Sequence, residues 1–255
     1  MSGLRIDNVS LHYGARPILR GLTLPDLRAG EVTVLAGPNA AGQSTLLRAI
    51  AQLAPYRGQI TLDGEDLARM PIRRRARLIG VMPQALPSGS SLVVLESVIA
   101  ALRAGSDAFA AQTDAQAMAV LERLGIADLA MEPLDQLSGG QRQMVSLAQA
   151  IVRDPRVLLL DEPTSALDLA RQVRLLGELR ALAAEGRIVV AVLHDLALAA
   201  QWADRIVLMH QGRLHSSGQP ATVLTPDLLA RVYGVRARVE RCSQGCITVL
   251  IDAEV

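Results

Sequence analysis

Apolar residues fall into runs of strand length and into stretches of helical spacing. Val157–Leu160 and Ile188–Leu193 are continuous apolar runs, the pattern of strands covered on both faces. Glu31–Ala36 reads as a third such strand and leads straight into a glycine-rich loop, after which Ser44–Leu53 has helical character. Before it, Leu4–Asp7 and Leu22–Leu24 read as short strands around a turn at Tyr13-Gly14. After it, Gly58–Leu62 reads as a strand closed by the turn pair Asp63-Gly64. Arg69–Arg77 is strongly basic and reads as a solvated helix face. Residues 85–154 are alanine-rich, helical in spacing and poor in strand signals. Arg171–Glu185 predicts a helix, and Arg205–His215 a strand, a turn at Gln211-Gly212 and a second strand. From Thr225 onward come a short helix and a last strand near Ile247–Ile251. Strands alternating with helices predict a mainly parallel sheet with both faces covered. The expected division is a core of residues 1–84 and 155–255, with an inserted helical lobe at 85–154.

Composition narrows the functional classes. The chain has 255 residues, half of them hydrophobic, enough for a sizeable core and incompatible with disorder or a collagen-like repeat. Its formal net charge is +1, which asks for neither nucleic acid nor an anionic membrane. All 26 basic residues are arginine. Tyr13, Tyr56, Phe109, Trp202 and Tyr233 are the whole aromatic complement, too few for a base-stacking platform. No apolar run approaches the roughly 18–20 residues of a membrane span, and Met1–Ser10 has no signal-peptide core. The expectation is a soluble cytoplasmic protein unless a partner holds it at a membrane. Cys242 and Cys246, the only cysteines, read as two tail-strand residues rather than half a metal site. His210 and His215 flank a turn and read as surface residues. No G-x-S-x-G elbow supports a serine hydrolase.

Three motifs carry chemistry. Gly37-Pro38-Asn39-Ala40-Ala41-Gly42-Gln43-Ser44-Thr45 follows a strand and opens a helix. Glycines there let the backbone turn and aim N–H groups at a phosphate, with Ser44 placed for Mg2+. The pattern G-x-x-x-x-G-K-[ST] is met except at Gln43, which keeps an N–H2 donor and loses the lysine charge. A charge-assisted hydrogen bond is worth about 1.5–3 kcal/mol against about 1 for a neutral one, so nucleotide binding should weaken about tenfold or more. The apolar strand Val157–Leu160 ends in Asp161-Glu162-Pro163. Asp161 is placed to hold Mg2+ and Glu162 to act as general base on an attacking water. Leu137-Ser138-Gly139-Gly140-Gln141-Arg142-Gln143 opens a helix and is the most specific string in the chain.

In order and spacing these motifs resemble the ATP-binding cassette (ABC) ATPases, over nearly the whole chain from Tyr13 to at least Gly234. The resemblance implies an α/β P-loop NTPase cassette with a mainly parallel core sheet, an N-terminal antiparallel β subdomain and an inserted α-helical subdomain. It makes Tyr13 the aromatic that stacks on adenine and Gly37–Thr45 the Walker A loop. Gln84 becomes the Q-loop residue that senses Mg2+ and the γ-phosphate. Ser138, Gly139, Gly140 and Gln141 form the signature, Asp161 and Glu162 Walker B with its catalytic glutamate, Asp168 the D-loop residue and His194 the switch histidine. The implied cofactors are ATP and Mg2+. The implied partners are a second copy packed head to tail, transmembrane permease subunits that dock near residues 85–103, and a substrate-binding protein on the far side. Nucleic acid is not among them. This puts the chain at the cytoplasmic face of the inner membrane, held peripherally by the permease. The strings Val189–Leu196 and Val223–Leu229 are similar to importer ATPases for iron–siderophores, haem and cobalamin, the iron–siderophore branch being the first choice. The alternative is a cassette that binds nucleotide and fails to hydrolyse it because of Gln43, with Ala40 as a second sign of degeneration. Soluble ABC proteins of DNA repair or translation usually carry two cassettes or long coiled-coil insertions, and neither is present.

Overall fold

The computed structural model describes residues 3–84, 92–104 and 110–255. Residues 85–91, the start of the expected permease-docking segment, and Phe109 lie outside the described residues. In chain order the elements begin with β1 (Leu4–Tyr13), β2 (Arg16–Leu22), β3 (Val32–Ala36), α1 (Gln43–Ile50), β4 (Arg57–Leu62) and β5 (Glu65–Asp66). They continue with α2 (Ile72–Leu78), β6 (Ile79–Met82), α3 (Val94–Arg103), α4 (Ala110–Arg123), α5 (Gly139–Ile151), β7 (Val157–Asp161) and α6 (Leu169–Ala184). The last are β8 (Ile188–Val192), α7 (Leu196–Trp202), β9 (Arg205–His210), β10 (Arg213–Gly218), α8 (Pro220–Val223), α9 (Pro226–Tyr233), β11 (Val235–Arg241) and β12 (Ile247–Glu254). They divide into two compact units, Met1–Arg69 with Ile188–Val255, and Met70–Arg187.

In the first unit, β3 lies between β8 and β9 and runs parallel to both, with Val34 opposite Ala191 on one side and Ile206 on the other. Every residue of β3 and β8 is buried, which is why both read as uninterrupted apolar runs. β10 returns antiparallel to β9 through the Gln211-Gly212 turn, where both residues have positive φ. A separate antiparallel sheet has the order β2-β1-β4-β5. In β1 the buried residues are Leu4 and Ile6, then Val9 and Leu11, a change of parity. The ladder to β4 shifts register between Asp7 and Ser10, and Asn8 in the gap has φ 48°. The bulge restores the inward face beyond it. Gly58 lies against it, where a Cβ would come within 2.3 Å of the Asn8 carbonyl oxygen. The unit ends in the hairpin β11–β12.

In the second unit, β6 pairs in parallel with β7, Met82 opposite Leu160. α5 packs on β6, and a Cβ on Gly80 would meet the Ala150 carbonyl oxygen at 2.2 Å. α3 packs against both α4 and α5. Helices thus fill the described part of residues 85–154, and the compact unit around them also takes in α2, β6, β7 and α6. No residue of α2 is buried, as its arginines suggest. Five elements had no sequence expectation: β5, two residues long; β6, four residues long and hidden behind the arginine run; α7, seven residues long; α8, four residues long; and β11, whose side chains are mostly exposed.

Candidate functional site

The phosphate loop begins where buried β3 ends. Gly37 has φ 151°, and a Cβ there would lie 2.2 Å from the Met209 carbonyl oxygen. Gly42, at φ 106°, is the N-cap of α1 and offers no side-chain cap to the helix amides. A loop this bare at a helix N-terminus fits an anion that takes hydrogen bonds from backbone N–H groups. Asn39 and Ala40 are exposed, Ser44 and Thr45 half-buried. Ala40 has φ 64°, a left-handed conformation that a residue with a Cβ adopts at a cost.

Gln43 is 5% exposed, and its Nε2 donates to the Gly37 carbonyl oxygen at 3.0 Å. The side chain that replaces the expected lysine is therefore folded back across the loop and closes it. A further brace comes from Gly212, whose N–H donates to the Ala41 carbonyl at 3.1 Å while its own carbonyl accepts from Arg20 N–H at 3.0 Å. A Cβ on Gly212 would lie 2.0 Å from the Ile18 carbonyl oxygen, so only glycine fits. Tyr233, the last residue of α9, is half-buried, and its hydroxyl hydrogen-bonds with the Gly37 backbone. Burial pushes its phenol up to about 12, with the Gly37 contact acting in the opposite direction. Tyr13 is exposed at the hairpin end of β1. His194 is exposed at the end of β8. Asp195 beside it caps α7 by accepting from the N–H groups of Ala197 and Leu198 at 2.8 and 3.1 Å, which anchors the backbone that carries His194.

In the second unit β7 delivers Asp161, half-buried, and then Glu162. Glu162 has φ 51°, a strained conformation that surrounding structure must impose. That structure is visible. The Glu162 carbonyl accepts from Gln143 Nε2 at 3.1 Å and from Ser165 Oγ at 3.1 Å. Gln143 also donates to Ser165 Oγ at 3.0 Å and accepts from Ala166 N–H at 3.2 Å. The Glu162 carboxylate in turn accepts from Gln84 Nε2 at 3.0 Å. The residue expected to polarise water is thus held at both its backbone and its side chain.

The signature string opens α5. Ser138 Oγ accepts from Gln141 N–H at 3.2 Å, and the Gln141 side chain accepts from Ser138 N–H at 2.8 Å, a capping box that satisfies two helix-end donors. Cβ atoms on Gly139 and Gly140 would come within 3.3 Å of the Ala166 Cβ and 3.1 Å of the Ala166 carbonyl oxygen. The glycines therefore let the start of α5 lie directly on the loop after Glu162. Asp168 caps α6 through Arg171 N–H at 2.8 Å. Gln172 donates to the carbonyls of Thr164 and Leu167 and shapes the same loop.

Each unit thus gathers its own set: the phosphate loop, Tyr13 and His194 in one, Gln84, Asp161, Glu162, Asp168 and the signature in the other. Sequence reasoning missed Gly212, Tyr233, Gln172 and the positioning role of Gln143. Gln143 stands inside the quoted signature string, and Gly212 inside a predicted turn. Nothing local pointed from either to its distant partner.

A glycine-rich loop closed on a helix N-terminus, and a strand-end Asp-Glu pair whose glutamate is held by two glutamines, define the class of P-loop nucleotide-binding cassettes. The profile of the ABC transporter family matches residues 20–165, more than half of the chain. The chain belongs to the ABC transporter family, whose ATP-binding proteins are ATPases. A relative from Rhodococcus jostii, "Hemin import ATP-binding protein HmuV", is 41% identical over 91% of this chain and 80% of that protein. The "Achromobactin transport ATP-binding protein CbrD" of Dickeya dadantii is 35% identical over 94% of this chain and 90% of its own. Among solved structures, a metal-chelate type ABC transporter in an inward-facing conformation superposes with a TM-score of 0.83 at 26% identity, over 100% of this chain and 98% of that one.

Proposed function

We propose that the chain is the ATP-binding subunit of an importer for an iron chelate, a siderophore complex or haem, and that its ATP binding and hydrolysis drive uptake. The names of the relatives support the cargo class. Gly37–Thr45 takes the triphosphate on backbone N–H groups, and Ser44 in the first unit offers a hard oxygen donor of the kind that suits Mg2+, as Asp161 does in the second unit. Among the described residues, no cluster of three or more His, Cys, Asp or Glu that could hold a metal ion is found. Tyr13 stacks on the adenine, Gln84 reads the γ-phosphate and His194 completes the hydrolytic set. Ser138, Gly139, Gly140, Gln141 and Asp168 serve the nucleotide of a second copy packed head to tail. Membrane-spanning permease subunits hold the pair at the cytoplasmic face, with a substrate-binding protein on the other side. No helix among the described residues is long and apolar enough to cross a membrane.

The observation that carries the hydrolytic reading is the 3.0 Å hydrogen bond between Gln84 and Glu162: a carboxylate oriented by a donor is poised to take a proton from water. One observation favours a second reading, a cassette that binds ATP and hydrolyses it poorly. Gln43 carries no charge, and its amide is engaged by Gly37. ATP turnover by the purified chain beside Gln43→Lys, alone and with its permease, decides between them. Comparable rates establish a working motor. Activity only in Gln43→Lys refutes hydrolysis by the glutamine-bearing loop.

A further inference from the structure

The hairpin β11–β12 ends in Cys242-Ser243-Gln244-Gly245-Cys246. Cys242 N–H donates to the Cys246 carbonyl at 2.9 Å, and Gly245 N–H donates to the Cys242 carbonyl at 2.8 Å. Gly245 has φ 79°, so the turn is a three-residue loop with a glycine bulge, the form that places its flanking residues opposite each other. Facing residues in such a ladder have Cα atoms about 5.5 Å apart, inside the range of about 4.4–6.8 Å that a disulfide accepts. Both thiols are free, Cys242 exposed and Cys246 half-buried, and the two side chains are within hydrogen-bonding reach of each other. Beside Cys246 an open cavity of about 510 Å3, lined also by Gly245, Arg241, Arg205 and Gln219, gives a small molecule access to the turn.

We propose that Cys242 and Cys246 are a reversible thiol–disulfide pair, with Cys242 as the attacking thiol and Cys246 as the resolving one. The co-reactant is a low-molecular-weight disulfide, R–S–S–R. The Cys242 thiolate attacks one sulfur and forms Cys242–S–S–R. The S–S bond of the small molecule breaks, and the departing R–S⁻ takes up the proton that Cys242 lost. Cys246, deprotonated in turn, attacks the Cys242 sulfur and forms the protein disulfide. A second R–S⁻ leaves with the Cys246 proton. Two electrons pass from the protein thiols to the small disulfide, which ends as two thiols. The division of labour follows from exposure and from the turn. Backbone N–H groups of Gln244 and Cys246 at Cys242 hold its thiol below the ordinary range, the Gln244 contribution being the larger. An accessible thiol whose ionisation is favoured, beside a second thiol, is the arrangement that oxidises selectively.

The test treats the full chain with oxidised glutathione and follows intact mass and free thiols, with Cys242→Ser and Cys246→Ser in parallel. The natural chain should lose both thiols, lose two hydrogens in mass and retain no glutathione. Cys246→Ser should stop as a stable single glutathione adduct at Cys242. Cys242→Ser should react at least tenfold more slowly than Cys246→Ser, and reduced glutathione should restore both thiols of the natural chain. Glutathione retained on both cysteines of the natural chain overturns the proposal. So do thiols that stay reduced under excess oxidant, or Cys242→Ser reacting as fast as Cys246→Ser.

Discussion

Replacing Gln143 with leucine keeps the volume of a buried side chain and removes its amide. Gln143 gives two hydrogen bonds, to the Glu162 carbonyl and to Ser165 Oγ, and receives one from Ala166 N–H. The loss is uneven. The Glu162 carbonyl keeps Ser165 Oγ, and Ala166 is exposed enough for water to take its N–H. About 1 kcal/mol for each of the three lost bonds, less some relief from solvent, gives a destabilisation of about 2–3 kcal/mol. For a chain of this length that is a fall in Tm of roughly 4–12 °C. The larger consequence is local. Glu162 sits at φ 51°, a conformation costing about 1–3 kcal/mol that needs its restraints. Without Gln143 it relaxes and its carboxylate leaves Gln84. ATP turnover should fall at least tenfold, since about 1.4 kcal/mol of transition-state stabilisation is a factor of ten. ATP binding at the phosphate loop should change less than threefold. Calorimetry, nucleotide titration and single-turnover hydrolysis, in the natural chain and in Gln43→Lys, read all three. Gln143→Glu separates the parts, because it keeps an acceptor for Ala166 and loses the donor to Glu162. Unchanged Tm and unchanged turnover in Gln143→Leu would refute the idea that this residue holds Glu162.

Two further outcomes follow from the phosphate loop. Ala40→Gly relieves a left-handed φ at an exposed position and should stabilise the chain by about 1 kcal/mol, read as a rise in Tm of roughly 2–4 °C; a fall would show that Ala40 packs. Tyr233 titrates at about 12 in the folded chain and near 10 unfolded. Its contribution is therefore complete below about pH 10 and is lost between about pH 10 and 12, because the unfolded chain releases the proton first. Denaturant melts across that interval should show a loss of about 2–3 kcal/mol that Tyr233→Phe does not share; parallel curves would place the phenol in solvent.

Strands buried on both faces were plain in the sequence because they leave uninterrupted apolar runs, as at Val157–Leu160 and Ile188–Val192. The turns at Asp63-Gly64 and Gln211-Gly212 were plain because positive φ selects those residues. β6 and β11 were not, one too short and the other too exposed to leave a periodic signal. The motif residues could be named from order and spacing, since phosphate binding and water activation demand particular groups. What holds them could not. The bond from Gln143 to Glu162, the contact of Gly212 with Ala41 and that of Tyr233 with Gly37 join positions far apart along the chain, and a single sequence carries no sign of such pairing.

Those last two contacts set an order of events during synthesis. Gly37 and Ala41 leave the ribosome early, but the residues that brace them, Gly212 and Tyr233, come out roughly 170 to 200 positions later, about ten to forty seconds at ordinary elongation rates. Through that interval the nascent chain carries a phosphate loop lacking two of its supports. A chain stopped before position 212 lacks both of these braces, and the second arrives only with the final tenth of the chain.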